Sequence, residues 1–166
     1  MIREWTRTPE GDAATDIVLE TFRASGLLLA AGNRLAAQEG LTAARWQVLG
    51  AVALAGRPLT VPQIARRMGL TRQAVQASVN RLLGEALVKS SENLDHRRSP
   101  LIRLTELGNQ KYAALDWRQI RWINELSAGL EISDLVNAAR LLHDLSDRLE
   151  NRARAGRRRN DDDDAT

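Results

Sequence analysis

The stretch Leu59-Thr60-Val61-Pro62-Gln63-Ile64-Ala65-Arg66-Arg67-Met68-Gly69-Leu70-Thr71-Arg72-Gln73-Ala74-Val75 decides the fold, because it holds two helix starts and the turn between them. Thr60 and Gln63 have the spacing of a capping box, in which a hydroxyl accepts from one free amide and the glutamine reaches back to another. Leu59 and Ile64 stand at the positions of a hydrophobic staple. This helix runs to about Met68, and Gly69 permits the sharp reversal that closes it. Thr71 caps a second helix, with Leu70 and Val75 as its staple pair, continuing to about Glu85. Val75, Val79, Leu82 and Leu83 fall on one face of it. The opposite face then carries Arg72, Gln73, Gln76, Ala77 and Asn80.

Beyond Glu85 the apolar period changes. Leu87-Val88-Lys89 and Leu101-Ile102-Arg103-Leu104 read as two short strands around the polar loop Asn93-Leu94-Asp95-His96-Arg97-Arg98. Strands this short do not stand alone, so they must pack on the preceding helices. Helix, tight turn, helix and hairpin together predict a winged helix-turn-helix, whose second helix enters a DNA major groove. Arginine forks onto guanine, and glutamine or asparagine onto adenine, which suits Arg72, Gln73, Gln76 and Asn80 to base edges. Arg66, Arg67 and Thr71 are placed to meet phosphates. Arg97 or Arg98 on the hairpin tip can enter a minor groove, with Asp95 bracing an arginine or the turn. A polar helix face is, taken alone, more often a solvated surface, and an Asp-His-Arg-Arg loop merely an exposed turn. The tandem caps, glycine turn and hairpin in sequence favour the nucleic-acid reading.

Working outward, residues 1–14 are polar and are expected to form a loose arm. A helix is expected from about Asp16 to Glu39, stopping at Gly40, and another from Thr42 to the Gly56–Pro58 break. A long helix follows from Thr105 to about Leu126. A last one starts near Ile132, apolar at Leu135, Val136, Ala139, Leu142, Leu145 and Leu149; that stripe suits packing against other helices better than solvent. The tail from Arg152 to Thr166, an arginine cluster and then Asp161–Asp164, is expected to be disordered. The predicted class is mainly α with a small β-hairpin. Its layout is a DNA-binding domain over 41–104, helical regions at 15–40 and 105–151, an arm at 1–14 and a tail at 152–166.

Composition bounds the function. The 166 residues contain no cysteine, which excludes disulfides, zinc–thiolate sites, thiol nucleophiles and cysteine redox sensing. Only His96 and His143 are available as imidazole ligands, so neither a metal nor another cofactor is expected. No apolar run approaches the roughly 18 residues that span a bilayer, and the first residues lack a signal-peptide core, so a cytoplasmic protein is expected. The net charge is only +3, yet between Arg57 and Arg103 nine bases face three acids, a local +6 that leaves −3 for the rest. A polyanion-binding module concentrates its charge in this way. Glycine-rich phosphate loops, nucleophile elbows and HExxH are missing, so no enzyme is expected.

The run from Leu59 to Gly108 resembles the winged-helix core of the multiple-antibiotic-resistance regulator (MarR) family. The resemblance rests on the opening stretch, Asn80-Arg81-Leu82-Leu83 with Leu87-Val88, Asp95-His96-Arg97-Arg98, and Leu104-Thr105-Glu106-Leu107-Gly108. The wing pattern and the Leu-Thr-x-x-Gly helix start are its most specific parts. Ala86 departs from the family, which usually has glycine there, and this bears on the local helix end. The resemblance implies a transcriptional regulator, expected to repress, acting as a homodimer built from its N- and C-terminal helices on a pseudo-palindromic site. It implies Arg97 as the minor-groove residue and Asp95 as shaping the wing. It also implies release by a small aromatic or phenolic molecule, for which Trp46, Trp117, Trp122 and His143 are candidate lining residues. The alternative is a winged helix used for protein or RNA contacts.

Overall fold

The computed structural model describes residues 6–163. In chain order these form α1 (Pro9–Ala37), α2 (Ala43–Ala55), α3 (Val61–Met68), α4 (Arg72–Gly84), β1 (Val88–Ser91), β2 (Leu101–Leu104), α5 (Glu106–Ser127) and α6 (Ile132–Asp163). The chain divides into two compact units, one up to Arg121 and the other from Trp122 onward. The first unit is a winged helix-turn-helix in which α3 and α4 are the paired helices and β1–β2 the wing. None of the described helices is long and apolar enough to cross a membrane.

The helix ends follow the local chemistry closely. Thr60 Oγ1 accepts from the Gln63 amide at 3.4 Å, and Gln63 Oε1 accepts from the Thr60 amide at 2.9 Å, completing the capping box. Gly69 closes α3 in the left-handed conformation at φ 63°, and Thr71 Oγ1 accepts from the Ala74 amide at 3.1 Å to start α4. A cap of this kind contributes about 1 kcal/mol, while each fully buried aliphatic side chain contributes about 1.5–3. Val48 and Leu49 from α2, Leu59, Ile64 from α3, Val75, Val79 and Leu82 from α4, Leu87, Ile102 and Leu115 are all fully buried together. The caps therefore decide where each helix begins, and the shared core decides how α2, α3 and α4 sit against one another.

The hairpin is antiparallel, pairing Val88 with Leu104 and Ser91 with Leu101. Leu59 adds a single-residue bridge on the far side of β2 that the sequence did not announce. Its amide and carbonyl exchange hydrogen bonds with Ile102 at 3.0 and 2.8 Å, tying the chain just before α3 to the wing. A single bridging residue has no periodicity, so it carries no strand signal.

The Leu87 carbonyl joins three elements. It accepts from the Thr105 amide at 3.1 Å and from Thr105 Oγ1 at 3.2 Å, while Thr105 Oγ1 also donates to the Ala86 carbonyl and caps α5 by accepting from the Gly108 amide at 3.0 Å. Gly108 presses directly on this junction: a Cβ there would lie 1.9 Å from the Leu87 oxygen. This contact accounts physically for the Leu-Thr-x-x-Gly pattern. At the same place Ala86 is the sole non-glycine residue with positive φ among those described, at 54°. The Ala86 and Leu87 amides bond back to the Leu83 and Leu82 carbonyls at 3.0 and 2.9 Å, the double closure that glycine normally makes at a helix end. The departure at Ala86 thus leaves the closure intact but places a methyl in the left-handed region.

Three expectations are corrected. The arm is shorter than residues 1–14: Thr8 caps α1, accepting from the Gly11 amide at 3.1 Å, and Pro9 fills a first-turn position where no amide proton is needed. Glu10, in that first turn, has its pKa lowered by its own backbone amide and by Thr8. The expected disorder over 152–166 gives way to helix, since α6 continues to Asp163; extending an established helix costs little per residue, and this segment is free of proline. Residues 164–166 of that tail, and 1–5 of the arm, lie outside the described residues. Leu83 is 37% exposed and sits at the edge of the apolar face, one helical step beyond buried Leu82.

Ala86→Gly is expected to raise stability by about 0.5–1 kcal/mol, because relief of the left-handed penalty (about 1–2) exceeds the added chain entropy of glycine (about 0.5–1). Gly108→Ala is expected to lower it by more than about 2 kcal/mol, since backbone rather than a flexible side chain blocks the methyl. Urea unfolding followed by circular dichroism reads both; a lowered midpoint for Ala86→Gly would show that the turn at 86 is unstrained, leaving only the entropy cost of glycine.

Candidate nucleic-acid interface

Burial of Val75, Val79 and Leu82 leaves Thr71, Arg72, Gln73, Gln76, Ala77 and Asn80 exposed on α4. These six residues therefore share one exposed surface. Gln76 Nε2 donates to Asn80 Oδ1 at 2.8 Å. That bond leaves the Gln76 carbonyl and the Asn80 amino group available outward, and it pre-orders two side chains that a ligand would otherwise have to immobilise. Ala77 beside them keeps the surface shallow.

Charge on this surface is not explained by helix energetics alone. Arg66 and Arg67 lie exposed in the last turn of α3, where cations complement the helix dipole. Arg72 is the first residue of α4, the end at which a cation is disfavoured. An arginine there gains from an anion outside the protein. With Arg97 and Arg98 also exposed, the unit presents cations from α3, α4 and the wing tip.

The wing tip is organised by Asn93, which sequence reading passed over. Its side chain is buried (7% exposed for the residue) within an otherwise exposed loop. Asn93 Nδ2 donates to the Ser99 carbonyl at 2.9 Å, and Oδ1 accepts from the Asp95 amide at 3.2 Å. Two backbone bonds, His96 to Asn93 at 3.2 Å and Ser99 to His96 at 2.8 Å, complete the turn. The signal was an asparagine two residues before Asp95, the spacing of a side-chain turn, but a polar loop offers many such residues. Asp95 takes part through its backbone amide; its side chain is exposed, and Arg97 approaches Glu92 at 3.9 Å instead. The Arg97 side chain is 86% exposed, so that pair is worth about 0–1 kcal/mol and yields easily to another anion.

The candidate effector-lining residues are distributed over both units. In the first, Trp46 packs against the core beside Gly32, whereas Trp117 is exposed. In the second, Trp122 is half-buried and His143 is exposed, its Nε2 3.8 Å from the Asp147 carboxylate.

Residues 39–99 match the model of the MarR family. A Mycobacterium tuberculosis protein of uncharacterised function is 43% identical over 120 residues, covering 72% of this chain and 82% of that one. The transcriptional activatory protein BadR of Rhodopseudomonas palustris is 26% identical over 141 residues, covering 83% and 81%. CouR from Rhodococcus jostii RHA1, whose crystal structure holds p-coumaroyl-CoA, shares the fold with a TM-score of 0.71 at 22% identity, covering 80% of this chain and 93% of that one. A winged helix with these caps, this wing and this family match has one assignment: the chain belongs to the MarR family of transcription regulators.

Proposed function

We propose that the protein is a sequence-specific regulator that binds double-stranded DNA as a homodimer on a pseudo-palindromic operator and represses by occupying it. The observation carrying this reading is the exposed polar face of α4, with Arg72, Gln73, Gln76 and Asn80 on a helix whose other side is locked in the core. The domain from 41 to 104 supplies the reading surface: Thr71, Arg72, Gln73, Gln76, Ala77 and Asn80 address the major groove, and Arg97 and Arg98 the minor groove. Asp95 shapes the wing through its amide, while Arg66 and Arg67 meet phosphates.

Apolar surface supports the dimer. On α1, Val18, Phe22 and Leu29 are exposed along one face, and on α6, Leu135, Leu142 and Leu149 are exposed along one face. Large side chains left open at helical spacing mark an interaction surface. Regions 15–40 and 105–151 are thus assigned to dimerisation, which sets two α4 helices about 34 Å apart, one duplex turn. Uptake of an aromatic or phenolic effector is supported by the p-coumaroyl-CoA found in CouR, with Trp46 and Trp117 the candidate contacts in the first unit and Trp122 and His143 those in the second. Repression needs only occupancy of the promoter, whereas BadR is described as activatory, so a reporter carrying the operator fixes the sign.

Selection of bound duplexes from a random pool tests the reading; a two-fold-symmetric motif is expected, and enrichment of unrelated sequences would contradict it. On the selected duplex, Arg97→Ala is expected to weaken binding by about 1–3 kcal/mol at physiological salt. Gln76→Ala is expected to relax preference at one base position per half-site. A uniform loss over all sequences would make Gln76 a backbone contact instead.

A further inference from the structure

Glu85 stands at the C-cap of α4, the end of a helix where a carboxylate is opposed by the dipole. Local helix energetics therefore give no reason for it. Its partner is Arg45 in the first turn of α2, whose Nη1 bonds Glu85 Oε1 directly. The Arg45 side chain is only 13% exposed, and its Nη2 donates to the Gly40 carbonyl at 2.9 Å. One guanidinium thus grips both the α1–α2 corner and the end of α4.

The same pattern recurs one step away. Glu39, in the closing turn of α1 and with a side chain 19% exposed, is paired with Arg118 and, at 3.9 Å, with Lys111, both on α5. Lys111 Nζ also donates to the Glu39 carbonyl at 2.7 Å. Two acids at unfavourable helix ends are each held by bases from another helix, and the corner 39–45 lies between them. Arg45 and Glu39 are the sheltered members, at 13% and 19% exposed, and are costly to leave unpaired, whereas the Glu85 side chain is 43% exposed and reaches Arg45 from the solvent side.

We propose that the Arg45–Glu85 pair, anchored through the 39–45 corner to α5, is a positioning clamp that sets the angle of α4 for specific DNA binding. Arg45 and Glu85 are positioning residues; neither contacts a base. The inference rests on α4 being the DNA-reading helix. It has an unusual sign. Glu85→Gln removes a negative charge from a DNA-binding unit, which by long-range electrostatics alone tightens binding. A clamp demands the opposite.

The test uses the full-length protein and the duplex selected for the wild type, with melting temperature followed in parallel. Glu85→Gln is expected to weaken specific binding roughly tenfold, within the usual range of couplings between sites. Its affinity for random duplex is expected to stay level or rise. Arg45→Met is expected to weaken specific binding similarly without flattening the salt dependence, as loss of a phosphate contact would. The double variant Arg45→Met, Glu85→Gln is expected to bind no worse than Arg45→Met alone, and the swap Arg45→Glu with Glu85→Arg to recover part of the loss. Equal or tighter specific binding by Glu85→Gln, or losses that simply add in the double variant, would overturn the clamp while leaving the role of α4 standing. A wild-type protein that selects no duplex would overturn the role of α4, and the clamp with it.

Discussion

A single carbonyl, that of Leu87, holds the end of α4, the start of the wing and the first turn of α5 at one point. Thr105 approaches it with both its amide and its hydroxyl, and Gly108 leaves it room. Each such bond contributes only about 1 kcal/mol net, but the junction is steric as well as polar, and sterics tolerate no partial solution. If Gly108 gains a side chain, the wing strand has to move, and Ile102 and Leu59 move with it. The relation between the α4 face and the wing tip, on which any simultaneous contact with two grooves depends, is set here.

The legible part of the fold is the part governed by local chemistry. Thr60, Gln63, Gly69 and Thr71 announced α3 and α4 because a capping hydroxyl and a left-handed glycine act within a few residues of themselves. The exposed face of α4 followed from helical spacing once Val75 and Val79 were placed inside. What stayed hidden depends on residues far apart in sequence. Leu59 pairs with Ile102, Arg45 with Glu85, and Glu39 with Arg118, and nothing in the spacing of either partner points to the other. Asn93 was hidden differently, since only burial distinguishes a wing brace from an ordinary turn residue. The helix start at Thr8-Pro9 was written plainly in the sequence but lost among polar neighbours, where no apolar stripe draws attention to a cap.

Electrostatics divide along the same line between exposed and sheltered. Arg72, Arg97 and Arg98 are exposed to water, and the ion pair that Arg97 makes with Glu92, at 3.9 Å, is weak. Arg45, Arg118 and Lys111 are partly withdrawn and matched to acids of the same unit. In the proposed function the first set supplies contacts to a polyanion, and the second ties together the helices that carry them. Tyr112, packed beside Gly50 on that frame, has its pKa raised by burial and by neighbouring Asp116, so it remains a neutral packing group at physiological pH.

Amide hydrogen exchange of the protein with and without saturating duplex reads the proposed interface. New protection is expected in residues 71–80 of α4 and in 93–99 of the wing. Exchange in both segments that is unchanged by bound duplex, with protection arising on other surfaces, would contradict it.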